Sequence, residues 1–505
     1  MLIVGIEPKA PGLNIFKSAT TPRLGLVRLG TSAQELGHKC RIYCEDAGDP
    51  INWGEVILAD IILLSATTST VLRAYKLIQE LRKANNKAPI LIGGPHVTFL
   101  PEEALEAGAD FVFRHAADQS FLQWLNWFQT CSSDRHALLG IRGLSFQLDG
   151  EYRHTQRPEE VSPDSWPTPD LRLVVGHKPK CINLIGSEGC PYDCDFCSEC
   201  RMHGHSYRFR STDKLIADLE FYNNIYDPTI PIFLCDDNLG ANPTRLIKLC
   251  QRIVARGLQR PYYGQVRLDL AKRPDVIYWM SRAGFERASI GYESPELASL
   301  VACGKRLNPA QMKDLTKIFH KHGITIHSMW AIGFDQDRLS TIFATIWACC
   351  NWWIGTYQIL FLTPIPGAPR YERLMGKGRI FDPDLAQYKE HEGEGRIFNY
   401  DWSKYDGHYV VSYPKGMSWR LLQILVIFVA LPGIYNPIQT LWIFLVSNIR
   451  TLKRILIGQA FLPKIEFKSH LTTLGWRLAG LITALRAQGG VYRYLKDWSH
   501  LPKQG

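Results

Sequence analysis

The sequence predicts an α/β protein: a doubly wound, Rossmann-like sheet over residues 1–130, a partial (β/α)6 barrel over 179–375, and a helical C-terminal extension over 418–505. Three observations carry this expectation. Short apolar runs alternate with helical hydrophobic patterns through the first 130 residues, as in a parallel sheet covered by helices. The same period returns at Cys181 and passes through six strand–helix units, fewer than the eight of a closed barrel. Beyond residue 417 the chain becomes strongly apolar and basic. The stretches between, 131–178 and 376–417, read as a linker and a post-barrel module.

In the first part, strands are expected over 1–6, 40–43, 60–64, 90–92 and 111–113, with helices over 24–36 and 72–84. Ligands of such sheets sit at the carboxyl ends of the strands. Gly93-Gly94 directly follows a strand, so it either lets a backbone approach something bulky or makes a tight turn. In the linker, Asp149-Gly150 between apolar runs marks a hairpin, and Pro163, Pro167 and Pro169 stiffen the approach to the next part.

In the barrel, strands are expected over 181–185, 231–234, 263–268, 288–292, 325–330 and 357–362. Helices are expected over 212–222, 243–254, 274–283, 309–322 and 338–352, with Asp213, Asn242 and Asn308 as caps and Pro243 and Pro309 in first turns. The loop after the first strand reads Gly189-Cys190-Pro191-Tyr192-Asp193-Cys194-Asp195-Phe196-Cys197. Three thiols at C-x-x-x-C-x-x-C spacing are close enough to hold one iron–sulfur cluster and one ligand short of filling it. A zinc knuckle would want a second ligand pair, which Cys200, His203 and His205 offer only in a crowded form, and a disulfide pair suits secreted chains better. Other reactive residues also fall at strand ends: Asp236-Asp237-Asn238 after the second strand, Gln265 and Arg267 along the third, Glu293-Ser294 at the end of the fourth, His327 and Gly333 along the fifth. Each carboxylate there reads either as a ligand group or as a cap or partner of Arg267.

The cysteine triad, with Phe196 just before its last member, resembles the cluster loop of the radical S-adenosylmethionine (SAM) superfamily. The resemblance implies that Cys190, Cys194 and Cys197 hold a [4Fe-4S] cluster whose open iron chelates the amino and carboxylate groups of SAM. Phe196 would lie near the adenine, and Asp236, Asp237, Gln265, Arg267, Glu293, Ser294 and Gly333 would complete the SAM site. The phrase from Ile92 to Thr98, followed by Pro101-Glu102-Glu103-Ala104-Leu105, is similar to the cobalamin-binding domain that precedes many radical SAM barrels. It implies cobalamin against Ser65, Thr67, Gly93 and Gly94. Two departures stand out. The lower-ligand motif D-x-H-x-x-G of many cobalamin proteins has here only Glu7-x-Lys9-x-x-Gly12, and a cationic Lys9 cannot replace a neutral imidazole at cobalt. Arg114-His115-Ala116-Ala117-Asp118 stands where the family has a glycine-rich turn. His96 is either a ligand or a structural loop histidine.

Gly291-Tyr292-Glu293-Ser294, Ile332-Gly333-Phe334-Asp335 and Leu362-Thr363-Pro364-Ile365-Pro366-Gly367-Ala368-Pro369 resemble the cobalamin-dependent branch. The module with Asp401-Trp402, Tyr405-Asp406, His408 and Tyr413-Pro414 resembles the segment after the barrel in members acting on hopanoids and chlorophyll precursors. These resemblances cover residues 1–414. They imply an enzyme that methylates an unactivated carbon of a hydrophobic isoprenoid, lipid or tetrapyrrole substrate and is fed electrons by a flavodoxin or ferredoxin. The alternatives are an oxidative cyclase of a porphyrin-type substrate and a noncatalytic cobalamin or cluster sensor.

Thirteen cysteines, several isolated in apolar runs, and no secretory signal fit a reducing cytosol. The net charge of +10 is localised: from Lys415 onward there are twelve Lys or Arg against two acids, so the first 414 residues carry no net charge. The apolar runs 421–431 and 438–446, broken at Pro432-Gly433 and followed by Arg450, Lys453 and Arg454, are each too short to span a bilayer. They predict a hairpin in the interface of the inner face of the cytoplasmic membrane, or else a helical cap buried on the barrel. Their apolar character argues against nucleic acid.

Overall fold

The computed structural model describes residues 1–10, 21–352, 354–380, 389–390, 396–397 and 402–429. Its first sheet has seven strands: β1 (Leu2–Glu7), β2 (Lys39–Cys44), β3 (Ile61–Ser65), β4 (Ile90–Gly93), β5 (Phe111–Phe113), β6 (Leu144–Leu148) and β7 (Glu151–His154). They lie in the order β2-β1-β3-β4-β5-β6-β7, parallel as far as β5 and antiparallel beyond it. β1 and β3 are buried on both faces, which is why they read as continuous apolar runs. Ile3, Ile61 and Leu63 pack under the helices Leu24–Glu35 and Asp118–Thr130, while Val4, Ile62 and Leu64 pack under Val71–Lys83, so the sheet is wound on both faces. The strand order reverses between β1 and β3, and the crevice at their carboxyl ends is where a sheet of this order takes a ligand.

Asp149 and Gly150 both adopt positive φ, 53° and 81°, and form the two-residue turn between β6 and β7. This hairpin lies in the connecting stretch and extends the first sheet.

The second sheet has six strands: β8 (Ile182–Leu184), then, after a small hairpin of β9 (Ser187–Glu188) and β10 (Arg208–Phe209), β11 (Ile232–Leu234), β12 (Tyr262–Val266), β13 (Phe285–Glu293), β14 (Thr325–Ile332) and β15 (Thr356–Phe361). All six are parallel and follow chain order, the arrangement of an open (β/α)6 barrel. Burial alternates along them. Ile290, Tyr292, Trp330 and Ile332 are buried under the helices, with Tyr292 stacked on Trp330 at 4.8 Å. Their neighbours Ser289, Glu293, His327, Met329 and Ala331 are half-buried and share the opposite, interior face. Pro243, Pro274 and Pro309 open their helices, and Asn242 and Asn308 cap two of them. Asp213 is not a cap: the Ser211 hydroxyl accepts the Lys214 N–H, and Asp213 sits in the first turn, where its charge favours the helix dipole.

The two sheets are joined tightly. The Asn183 side-chain amide, on the interior side of β8, donates to the Pro22 carbonyl (3.2 Å), the Tyr222 hydroxyl to the Pro169 carbonyl (2.7 Å), and the Asp170 N–H to the Thr31 hydroxyl (3.0 Å). Arg28 pairs with Asp118 beneath Trp166, 4.3 Å from its ring. After the barrel, Tyr371, Trp402 and Tyr405 return to pack on the second face of the first sheet. Asp401 lies outside the described residues.

A helix at Trp419–Val429 begins the C-terminal extension. Leu422 and Leu425 are buried against the barrel, and Gln423 accepts the Val410 N–H and donates to the His408 carbonyl. The expected apolar run 438–446 and Arg450, Lys453 and Arg454 lie outside the described residues. Among those described, no helix is long and apolar enough to cross a membrane.

Candidate active site

The cluster loop is built by carboxylates that come from other strands. Asp236, fully buried just past β11, accepts the Gly186 N–H (2.7 Å) and the Ser187 hydroxyl (2.5 Å), and Asp237 accepts the Gly189 N–H (2.8 Å). Gly189 has φ +81°, and a Cβ there would stand 2.1 Å from the Ser206 carbonyl oxygen, so only glycine turns the chain tightly into Cys190. Further along, Asp195 is clamped by Arg370 (2.9 Å) and Arg373 (2.7 Å), while the Arg370 N–H donates to its carbonyl (2.7 Å).

Cys190, Cys194 and Cys197 are free and half-buried within this frame. Burial raises all three thiols above their ordinary range, Cys197 most strongly, so they become thiolates only in exchange for a metal. Cys200 is turned away: its buried thiol points to the Tyr192 carbonyl, so it braces the loop. Three thiols without a fourth fit a [4Fe-4S] cluster with one open iron.

Glu293 ends β13 at an irregularity in its register with β14, and its φ of +60° is a strained value for a side chain this large. That kink aims its carboxylate at Lys305, 2.7 Å away, whose ammonium also donates to the Gly291 carbonyl (2.6 Å). Both charges act on the Cys194 thiol. Arg267 lies 3.8 Å over the Tyr192 ring and holds Asp269 through Nε and Nη2, and the Gln265 amide donates to the Asp237 backbone carbonyl (3.3 Å). Phe196 packs with Cys303, Phe334 and Leu362. The Ser294 hydroxyl accepts the Glu296 N–H, and the Gly333 N–H donates to buried Asp337.

These positions therefore divide. Arg267 and Glu293 face the interior at the mouth near Cys194. Asp236 is consumed in shaping the loop. Asp237 shares a half-buried cluster with Glu199 and His203, and burial, then the charge of Glu199, pushes its carboxyl up to about 7. Sequence reasoning missed Lys305, Arg370 and Arg373. Lys305 follows a short helix, Leu297–Ala302, whose pattern is too brief to read, and the arginines carried only one signal, their spacing of three on one helix face.

At the other crevice, the Ser65 carbonyl accepts the Arg23 guanidinium (3.4 Å), and Thr67 forms a reciprocal capping box with Thr70 at the start of the next helix. Gly94 has φ +114°, and a Cβ there would lie 2.3 Å from the Ala66 carbonyl oxygen; at Gly93 the contact would be an ordinary 3.5 Å. The demand for glycine at 94 is thus set by the neighbouring loop. Glu7 is buried and accepts the Arg23 N–H (2.7 Å), Lys9 is exposed, and Gly12 lies outside the described residues. His96 is fully buried away from the crevice, 3.2 Å from Glu103 and edge-on to Trp402. His115 takes the left-handed conformation (φ 64°) otherwise favoured by glycine, and its ring donates to the Met202 carbonyl, tying the first domain to the helix after the cluster loop. Among the described residues this crevice presents hydroxyls, backbone and the Arg23–Glu7 pair but no imidazole, which fits a corrinoid held without a protein axial ligand.

Residues 19–123 match the family described as the B12 binding domain. An uncharacterized methyltransferase of Pyrococcus horikoshii is 27% identical over 74% of this chain and 82% of its own length. Bacteriochlorophyllide d C-12(1)-methyltransferase of Chlorobaculum tepidum is 24% identical over 75% and 79%. The anaerobic magnesium-protoporphyrin IX monomethyl ester cyclase of Rubrivivax gelatinosus is 22% identical over 64% and 60%. The solved structure of the cobalamin-dependent SAM radical enzyme OxsB, with aqua-cobalamin and SAM bound, shares the fold with a TM-score of 0.63 at 15% identity, covering 99% of this chain and 76% of that one. The chain thus joins a B12-binding domain to an open parallel barrel that carries three cluster-spaced cysteines after its first strand, and it shares the fold of a cobalamin-dependent SAM radical enzyme.

Proposed function

We propose that the chain methylates an unactivated carbon of a hydrophobic isoprenoid, lipid or tetrapyrrole substrate. One observation supports this most: the segment 21–23 bonds to Glu7 and Ser65 at the switch point of the first sheet and, through Pro22, to Asn183 on the interior side of the barrel strand that leads into the cysteine loop. Two ligand crevices thus adjoin one interior. When bound, the cluster with SAM would supply a 5′-deoxyadenosyl radical, and cobalamin a methyl group. The chain's own residues would orient them: Cys190, Cys194 and Cys197 the cluster, Arg267 and Glu293 the SAM, and the loops at Ser65, Thr67 and Gly94 the corrinoid. Lys305 would hold the Glu293 carboxylate in place through their ion pair. Met329, Ala331 and Leu360 on the interior face would exclude water.

The apolar, basic extension supports a substrate drawn from the inner face of a membrane, and a flavodoxin or ferredoxin would deliver electrons. Anaerobically reconstituted protein with dithionite is expected to release 5′-deoxyadenosine from SAM; none, with an intact cluster spectrum, overturns the enzyme reading. SAM deuterated at its methyl group is expected to label a lipid-extractable product in lysate. The similarity to a cyclase supports one rival, oxidative ring closure of a porphyrin-type substrate, whose product would lose hydrogen and gain no deuterium. Truncation after Val429, which keeps the packed helix, is expected to release the protein from membranes.

A further inference from the structure

Among the described residues, the interior of the barrel holds a cation with no ion-pair partner. Arg287 lies on β13 in register with Tyr263 of β12, two residues before Ser289, and the three share the interior face. The Arg287 guanidinium stands 5.2 Å from the centre of the Tyr263 ring. Among the described residues, the Arg287 guanidinium, the Tyr263 hydroxyl and the Ser289 hydroxyl make no side-chain hydrogen bond, and no carboxylate lies within ion-pair reach of Arg287. This is unusual here: the other arginines facing the barrel mouth are each held by an aspartate, Arg267 by Asp269 and Arg370 by Asp195. The nearest acid in sequence, Glu286, falls at the register slip between β12 and β13.

Toward the carboxyl ends of the strands the same face carries Met329, level with the polar Gln358 and above His327, and then Ala331 and Leu360. From Arg287 to Glu293 is six residues, roughly 20 Å of strand. The interior is therefore polar and cationic at its floor, mixed along its wall, and apolar at Ala331 and Leu360 toward the cluster loop.

We propose that Arg287, with the Tyr263 and Ser289 hydroxyls, binds a carboxylate of the substrate, so that the substrate is an apolar molecule bearing an acid group at one end. This rests on the reading of the interior as the substrate site and narrows it. Three donors on one half-buried stretch of the interior face match a carboxylate, which accepts about four hydrogen bonds and pairs with the planar guanidinium fork. A wholly hydrocarbon substrate would make no use of these three donors.

The test is equilibrium dialysis of the full-length, cluster-reconstituted protein against two probes, a propionate-bearing porphyrin and a twenty-carbon isoprenoid acid, each beside its methyl ester. At least one acid is expected to bind about tenfold or more tightly than its ester, the scale of a charge-assisted hydrogen bond in a half-buried site. Discrimination on the porphyrin alone assigns a tetrapyrrole acid, and on the isoprenoid alone an isoprenoid acid. Arg287→Gln should abolish the preference, Arg287→Lys restore part of it, and Tyr263→Phe and Ser289→Ala each reduce it severalfold. Equal affinity for acid and ester in the unmodified protein, binding of neither acid, or a preference that survives Arg287→Gln overturns the proposal. Release of 5′-deoxyadenosine by the unmodified protein is scored separately, so failure of the radical chemistry and failure of the acid site are distinguishable.

Discussion

The two ligand crevices are made of different material. The one beside the cysteine loop is made of charges, each with a partner from a distant part of the chain: Asp195 with Arg370 and Arg373, Glu293 with Lys305, Asp236 with the loop's own Gly186 N–H and Ser187 hydroxyl. The one at the end of β3 and β4 presents backbone, hydroxyls and a glycine with no room for a side chain, with the Glu7–Arg23 ion pair at its side. Charges buried in pairs fix a geometry but are intolerant of losing one member. A backbone cradle tolerates side-chain changes and fails only where the chain itself must move. Single substitutions should therefore cost much more on the first side than on the second.

The largest effect expected is from Cys194→Ala. Iron content and the cluster absorbance should fall to background and 5′-deoxyadenosine formation with them, while cobalamin still binds. Loss of both ligands together would mean that the two crevices are not independent.

Lys305→Met comes next. It leaves Glu293 buried without its partner, a change worth on the order of 3 kcal/mol in buried pairs. Calorimetry should show weaker SAM binding, largely recovered in Lys305→Arg, with cobalamin affinity unaltered. On the other side, Gly94→Ala places a Cβ 2.3 Å from the Ala66 carbonyl at a positive φ and should cost roughly 2 kcal/mol in denaturant unfolding, with loss of cobalamin and retained iron. Thr67→Ala, which removes the capping box, should cost only about 1 kcal/mol. If Thr67→Ala proves as damaging as Lys305→Met, the contrast between the crevices fails.

The same contrast explains what could be read from the sequence. The parallel strands of both sheets were legible because buried parallel strands announce themselves as apolar runs, and the cysteines because their ligand spacing is local, whereas β6 and β7 read as a linker hairpin outside the sheet. The parts that hold the cysteines were not. Asp195 and Arg370 are 175 residues apart, and nothing in either neighbourhood marks the pair before the chain is folded. Asp236 read as a ligand because a carboxylate at a strand end looks the same whether it faces a substrate or a backbone amide. Gly94 was visible as a glycine, but its reason, the Ala66 carbonyl, was not. The Asp118–Thr130 helix was missed because its aromatic residues, Phe121, Trp124 and Trp127, do not stand out as a helical stripe beside the apolar strand just before it.

His115 offers the finest test, since it joins the two regions. Burial, and then the charge of Arg157, lowers its pKa from the ordinary 6.5 to about 4, so the ring is neutral in the folded chain at pH 7. Above pH 6.5 the folded and unfolded chains bind the same number of protons at this residue, and it makes no pH-dependent contribution. As the pH falls from 6.5 toward 4 the unfolded chain takes up a proton that the folded chain refuses, and stability is lost across that window. The ring is partly exposed, so screening makes the effect small. In thermal melts at pH 7.5 and pH 5, the drop in midpoint should be smaller for His115→Asn than for the unmodified protein. An equal drop would locate the acid sensitivity in another buried histidine, and His327, lowered to about 4 by burial in the barrel interior, is the one whose substitution would then decide between the two regions.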